Sequence, residues 1–291
     1  MRAILLRRRK LGRGSCHGIR RSSTRHQYTV ARNDVRNRRG YPDAEAIIRW
    51  GCTDRIPEGR YRLVIQPAEA INRVNNKSAF RRTLQEQHPD IVPRTWFNSA
   101  DQDIEFPCIV RPRAHAQGRR LWVCQNRHDL NQAVARAGEG YYISKLINKV
   151  AEYRVFCVQG RIACIARKTP GDPNQVAWNV AQGGRFDHVR WGDWDISMAR
   201  RALDAFNVSG LDFGGVDVMV DSEGQAYIIE INSAPSLPLK EDGTPTHRQE
   251  CMSKCMDYML DHGKDRIPLV ERRGGWKKFI HPAISNEAEL D

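Results

Sequence analysis

Nowhere in its 291 residues does the chain contain the ~18 consecutive apolar residues that a membrane span requires. Its N-terminus carries only Ile4, Leu5 and Leu6 ahead of Arg7-Arg8-Arg9-Lys10, too short for the apolar core of a secretory signal. Acid is almost missing from residues 1–40, where Asp34 stands alone against 13 Lys or Arg, a balance of +12. The whole chain carries +13, so the remainder is close to neutral. This excludes a basic groove running across the body, the usual electrostatic footprint of a nucleic-acid binder. The basic segment shares its composition with mitochondrial transit peptides. The preferred expectation is a first strand followed by a solvated loop that approaches a polyanion or an acidic substrate. No internal repeat or low-complexity tract occurs beyond it.

A hydrophobic content of 40% with 28% charged residues suits a soluble protein with a sizeable core, arranged in two lobes. The eight cysteines (16, 52, 108, 124, 157, 164, 251, 255) lie in apolar or strand-like contexts, in a chain too long to need disulfides. That pattern predicts a reducing, cytoplasmic setting. His247, Cys251 and Cys255 stand four apart and could form a metal site. Met252, Cys255, Met256, Met259 and Leu260 follow the same helical spacing, which favours a core-facing helix.

Along the chain, Tyr61 to Ile65 predicts a strand, and Pro67 begins a helix. Asn76-Lys77-Ser78 opens another helix, through Gln87. Pro107 to Arg111 and Arg120 to Cys124 read as hairpin partners across loop 112–119. Asp129 is expected to cap a helix ending at Gly138, and Tyr141 to Ile147 is the next strand. Glu152–Val158 and Arg161–Arg167 are strands joined at Gln159-Gly160, with Cys157 and Cys164 facing each other. A helix over Ile196–Phe206 precedes the hairpin Gly214–Val220 and Ala226–Ile231, and Thr244 caps the last helix. The expected organisation is a short basic N-terminal segment (1–70), a central lobe (71–140), a C-terminal lobe (141–262) and a tail (263–291).

The 214–238 segment carries the chemistry. A turn at 221–224 brings Asp217 to the same end of a hairpin as Glu230 and Asn232, and residues 230 and 232 share a face because strand side chains repeat every two. Two carboxylates and an amide oxygen form a hard-oxygen site suited to Mg²⁺ holding phosphate oxygens. An isolated D-x₁₂-E-x-N also fits a plain hairpin with acids at its rim.

The order and spacing of several segments change that balance. Asn76-Lys77, Phe106-Pro-Cys-Ile-Val-Arg111-Pro, Tyr142-Ile-Ser-Lys-Leu-Ile147, Glu152-Tyr-Arg154, Arg167, Asn179 with Gly183-Gly184, Gly215-Val-Asp217 and Glu230-Ile-Asn232-Ser-Ala-Pro-Ser together resemble the ATP-grasp superfamily over about residues 70–262. The likeness is to its carboxylate–amine ligases of the RimK and D-alanine–D-alanine ligase kind. The resemblance implies an α+β (α/β) fold whose two lobes grip ATP. Asp217, Glu230 and Asn232 would hold Mg²⁺, with Mn²⁺ as an alternative, while Lys77 and Arg111 contact the phosphates. The backbone of Lys145 and Leu146 would read the adenine, and Glu152 would accept from the ribose hydroxyls. Loop 112–119, with Gly118, would act as a lid. Arg154, Arg167 and Asn179 would steady the substrate carboxylate and the acyl phosphate. Two departures stand out: Arg111 occupies a position where the family usually has Lys, and Gly118 is the loop's lone glycine, so His115, Arg119 or Arg120 could contact phosphate instead.

The implied reaction joins a carboxylate to an amine acceptor (an amino acid, peptide or protein) at the expense of ATP. The rivals are an ATP-grasp phosphotransferase that does not ligate, and a nucleic-acid-binding protein led by residues 1–40.

Overall fold

The computed structural model describes residues 1–9, 11–33, 41, 43–57, 59–112, 120–172, 178, 183–240 and 242–264. Three sheets organise them. The first is parallel, with order β2-β1-β3-β4, formed by β1 (Arg2–Arg7), β2 (Gln27–Arg32), β3 (Ala46–Trp50) and β4 (Leu63–Ile65). Parallel strands are covered on both faces and therefore read as unbroken apolar runs; Ile4-Leu5-Leu6 and Ile47-Ile48 are all fully buried. Each such side chain contributes roughly 1.5–3 kcal/mol by leaving water. The solvated loop expected after the first strand is instead helix α1 (Arg13–Ser22) followed by β2. The basic residues had masked an amphipathic helix, whose Cys16 and Ile19 point inward while Arg13, Arg20 and Arg21 point out.

Helix α1 packs on α6 (His247–His262). The approach is close enough that a Cβ on Gly18 would lie 1.9 Å from the Gln249 side chain. Gln249 is fully buried, and its amide donates to Leu237 O (2.8 Å) and Gly14 O (3.3 Å). It also completes a capping box with Thr246, so the helix starts two residues later than the expected Thr244 cap. Cys251, Met252, Cys255, Met256, Met259 and Leu260 are all buried in the core this helix shares with the first sheet.

The second sheet is antiparallel, with order β5-β8-β6-β7, from β5 (Thr95–Trp96), β6 (Cys108–Arg111), β7 (Trp122–Cys124) and β8 (Tyr142–Lys145). Helix α4 (Arg127–Ala137) covers it. Its cap is Asn126, which accepts from Asp129 N at 3.0 Å; the expected Asp129 is already inside the helix and accepts from Gln125 N. Hydrogen bonding ties β8 to β5 and β6, in the central sheet.

The third sheet is also antiparallel, in the order β11-β10-β9-β12-β13, from β9 (Lys149–Val158), β10 (Arg161–Thr169), β11 (Arg185–His188), β12 (Phe213–Asp221) and β13 (Ala226–Asn232). Gln159 and Gly160 both take positive φ, as the tight β9–β10 turn requires. Helices α2 (Ala68–Asn75), α3 (Lys77–Gln87) and α5 (Ile196–Ser209) bury one face. Cys157 and Cys164 do not face each other, because a bulge at Ala163 shifts the register. Cys157 consequently points into the core beneath α5 and Cys164 into the core beneath α6.

Gln66, at the end of β4, fastens the first sheet to the third. It adopts φ 76°, unusual for a residue with a Cβ. Its buried amide donates to Phe213 O (2.7 Å) and accepts from Asp212 N (2.9 Å), which offsets that strain.

Candidate active site

Alternation along the third sheet assigns each residue to a face. Ala151, Val155, Val216 and Val218 point into the core beneath α5. Glu152, Arg154, Asp217 and Met219 alternate with them and point the other way, toward the cleft beside the central sheet, in register as Glu152↔Met219 and Arg154↔Asp217. Across the hairpin, Asp217 pairs with Glu230 and Gly215 with Asn232, but Val218 pairs with Ile228, leaving Ile229 as an extra residue. This bulge lets Ile228 and Ile231 both enter the core while Glu230 and Asn232 face the cleft. Its carbonyls are held by buried Arg81 of α3, whose guanidinium donates to Ile228 O at 2.7 Å and to Ile229 O. Burial pulls the Arg81 pKa down to about 10.

Asp217, Glu230 and Asn232 therefore do come together. The Asn232 amide lies 3.2 Å from Glu230 Oε1 and 3.5 Å from Asp217 Oδ2. Among the described residues no group of three His, Cys, Asp or Glu could hold a metal ion; the set here is two carboxylates and an amide, whose oxygen and nitrogen exchange by a simple flip. That hard, acidic donor chemistry fits Mg²⁺.

Cations enclose the acids. Arg154 grips Asp217 with a two-point fork, Nε to Oδ1 at 2.6 Å and Nη2 to Oδ2 at 2.7 Å. The Cβ missing from Gly215 would lie 3.1 Å from the Arg154 stem and 2.9 Å from Pro235, so glycine makes room for that fork. Lys77 reaches Glu230 at 2.5 Å. Burial alone would raise the Glu230 pKa, but Lys77, Arg154 and Lys168 outweigh it and hold the carboxyl well below its usual range. Burial likewise disfavours charge on Arg154 and Lys168, yet Asp217 beside them leaves both raised.

The remaining expected site residues divide. Arg111 is buried on β6 and lines a slot with Lys145, Leu146, Met219 and Ile229. The amides of Lys145 and Leu146 are already engaged, donating to Arg94 O (2.9 Å) and Pro107 O (3.2 Å), and the Lys145 ammonium pairs with Glu105. Glu152 is buried between Lys149 (2.6 Å) and Lys168. Arg167 is exposed, in register with Tyr153 on the face opposite Arg154 and Asp217. Gly118, His115, Arg119 and Asn179 lie outside the described residues. Lys168 was missed by the sequence reading; it contacts Glu152 and sits 3.2 Å from Asp217. Strand alternation could have chosen Lys168 over Arg167, but only with knowledge of the bulge at Ala163.

A slot between a small antiparallel sheet and a larger one, with carboxylates carried on a hairpin of the larger sheet, is the arrangement of the ATP-grasp class. Residues 88–242, more than half of the chain, match the sequence profile of the ATP-grasp domain, R2K clade family 2, and the chain belongs to that family. Solved structures share the fold at low identity. The ATP-grasp ligase PsnB, complexed with minimal precursor, Mg and ADP, is 13% identical, with a TM-score of 0.62 over 87% of this chain and 96% of that one. The macrocyclase MdnC of Microcystis aeruginosa MRC, bound with precursor peptide MdnA, is 12% identical, with a TM-score of 0.60 over 90% and 100%. D-alanine–D-alanine ligase of Bacillus anthracis, complexed with ATP, is 11% identical, with a TM-score of 0.62 over 90% and 96%. No curated protein sequence matches the chain. No helix among the described residues is long and apolar enough to cross a membrane.

Proposed function

We propose that the protein is an ATP-dependent carboxylate–amine ligase. The observation that carries this reading is the convergence of Asp217, Glu230 and Asn232 on one hairpin end, ringed by Lys77, Arg154 and Lys168. A phosphoryl-transfer site needs that alternation of sign, because charge develops on the phosphate oxygens and must be met by fixed cations. Asp217, Glu230 and Asn232 would hold Mg²⁺, or Mn²⁺ with the same oxygen preference. The metal supplies charge neutralisation and Lewis acidity toward the phosphates.

In this reading Lys77 and Arg111 grip phosphate oxygens, and the slot beside Lys145 and Leu146 takes the adenine. With both backbone N–H groups engaged, this backbone would meet the base through its carbonyl oxygens, beside the other groups of that slot. Arg154 and Lys168 face the reacting oxygens. A substrate carboxylate oxygen attacks the γ-phosphorus, the bond to the β-phosphate oxygen breaks, and ADP leaves. An amine then attacks the acyl carbon, losing its proton, and inorganic phosphate departs as the amide forms. Activation is needed because a carboxylate is a poor electrophile. Loop 112–119 would supply the lid and Asn179 a substrate contact, while Gly118 would approach the phosphates. We assign residues 1–65 to the leading lobe, 95–145 to the central lobe and 149–262 to the metal-bearing lobe. The buried, unpaired thiols support a reducing, cytoplasmic setting.

Peptide-bound neighbours make peptides the first acceptors to screen. Coupled ADP release over amino acids and peptides, with products resolved by mass spectrometry, tests the reading. An amide product with loss of water is expected. A stable phosphoryl adduct alone would instead establish a kinase and overturn ligation.

A further inference from the structure

The ring of Phe186, on β11, has three cations around it: the guanidinium carbon of Arg154 at 5.0 Å from the ring centroid, Lys168 Nζ at 5.8 Å and the guanidinium carbon of Arg248 at 5.6 Å. Two of the three are neutralised. Arg154 is forked onto Asp217, and Lys168 lies against Glu152 and Asp217. Arg248, in the first turn of α6, has no carboxylate within ion-pair distance among the described residues. It is 7% exposed, and among the described residues its one hydrogen bond is from Nη1 to Phe186 O at 3.2 Å. Its Nε is buried with no hydrogen-bond partner among the described residues.

A buried guanidinium without an anion is costly, because desolvation is uncompensated. Asp187 attracts Arg248 from a distance but makes no ion pair with it: its carboxylate is occupied by Thr169 Oγ1 (2.6 Å) and Arg185 Nε (3.1 Å). The electrostatics agree with the geometry. Burial, with the repulsion of Arg154, outweighs the attraction of Cys164 and Asp187 and lowers the Arg248 pKa, whereas their acid partners raise those of Arg154 and Lys168. Arg248 is also anchored from behind, since the neighbouring Gln249 locks the first turn of α6 against α1 and Leu237. A cation so positioned, with a planar fork and spare donors, matches a carboxylate.

We propose that Arg248 is the residue that receives the carboxylate of the acid substrate, with Phe186 as the platform that keeps its guanidinium beside Arg154. The assignment rests on the ligase reading above and extends it to a residue that the sequence motifs leave out. Because α6 also packs on α1, it would couple the leading lobe to the position of the bound acid.

The test uses the full chain and acetate as probe. Acetate is titrated into protein saturated with Mg–ADP and followed by calorimetry and by the melting temperature, with chloride as the control anion. Wild-type protein is expected to bind acetate, R248Q at least about tenfold more weakly, and R248K with intermediate affinity, because a charge-assisted fork contributes on that order. Mg–ADP affinity, measured on each variant, should stay within about twofold, which separates loss of the anion contact from damage to the cleft. If R248Q melts below the assay temperature, R248M, which keeps an apolar stem of similar length, takes its place. Equal acetate binding by wild type and variant, or none by wild type, overturns the assignment. Failure of Mg–ADP to bind would count against the ligase reading alone, since acetate can then be titrated into nucleotide-free protein to judge Arg248 by itself.

Discussion

Glu230 sits where three cations meet, and its proton affinity reports on them. Its folded-state pKa is depressed, so the stability it contributes is complete above the unfolded carboxylate value of about 4.3 and is lost as pH falls through the depressed folded value. E230Q should accordingly melt below wild type at pH 7, and the gap should narrow as the buffer is taken below about pH 4. Thermal melts across that range check it; a gap independent of pH would mean that Lys77 and Arg154 do not stabilise the carboxylate. The same substitution should abolish ADP release. D217N attacks the other acid and leaves the Arg154 fork half-satisfied, so kcat should fall by at least about a hundredfold, the scale of one lost charge contact in a transition state. Steady-state kinetics on folded D217N checks this. Asp217, Glu230 and Asn232 were legible as a group because a hairpin brings them to one end and a period of two puts 230 and 232 on one face; that this is also the face of Asp217 depends on the bulge at Ile229, which the sequence did not show. Lys168 and Arg248 were not: one depends on a bulge and the other on the packing of a helix distant in sequence.

At the scale of elements, the β13 bulge decides whether Glu230 faces the cleft or the core. Arg81 holds it by donating to both bulge carbonyls, so R81M should cost about 2–4 kcal/mol for two buried acceptors left without donors. Part of the metal set should go with it, raising the Mg²⁺ requirement for nucleotide binding; denaturant melts and Mg²⁺ titrations measure the two effects. Unchanged Mg²⁺ dependence in a destabilised R81M would assign Arg81 to stability only. Most elements were readable from caps, turns and periodicity, including α2, α3, α5 and the β9–β10 and β12–β13 hairpins. Two helix starts were displaced, by three and two residues, because a better cap lay nearby: Asn126 displaced Asp129, and Thr246 with Gln249 displaced Thr244. The Cys157–Cys164 pairing failed because one extra residue reverses every side chain beyond it.

For the whole molecule, the distribution of charge and the location of the core pull in different directions within residues 1–40. Dense arginine suggested a solvated arm, whereas the few apolar residues between the arginines were enough to build a central strand and a packed helix. β1 lies between β2 and β3, and α1 seats Gly18 on Gln249. Deleting residues 2–39 would therefore remove the middle of a sheet and half of a helix pair, and the product should fail to fold. Lost activity in such a deletion says nothing about a polyanion. Substituting the outward arginines of α1 separates the two roles. R13Q/R20Q/R21Q retains Cys16, Ile19 and Gly18, so its melting temperature should stay within about 3 °C of wild type, as expected for exposed changes of a few tenths of a kcal/mol each. Losing three charges from a lobe that carries most of the net +13 should nevertheless lower the salt concentration that elutes the protein from heparin. If elution is unchanged while the fold is intact, the charge of the leading lobe acts elsewhere than on the α1 face. If the triple variant unfolds, the outward arginines hold the helix pair together, and the charge has a structural role that their exposure does not suggest.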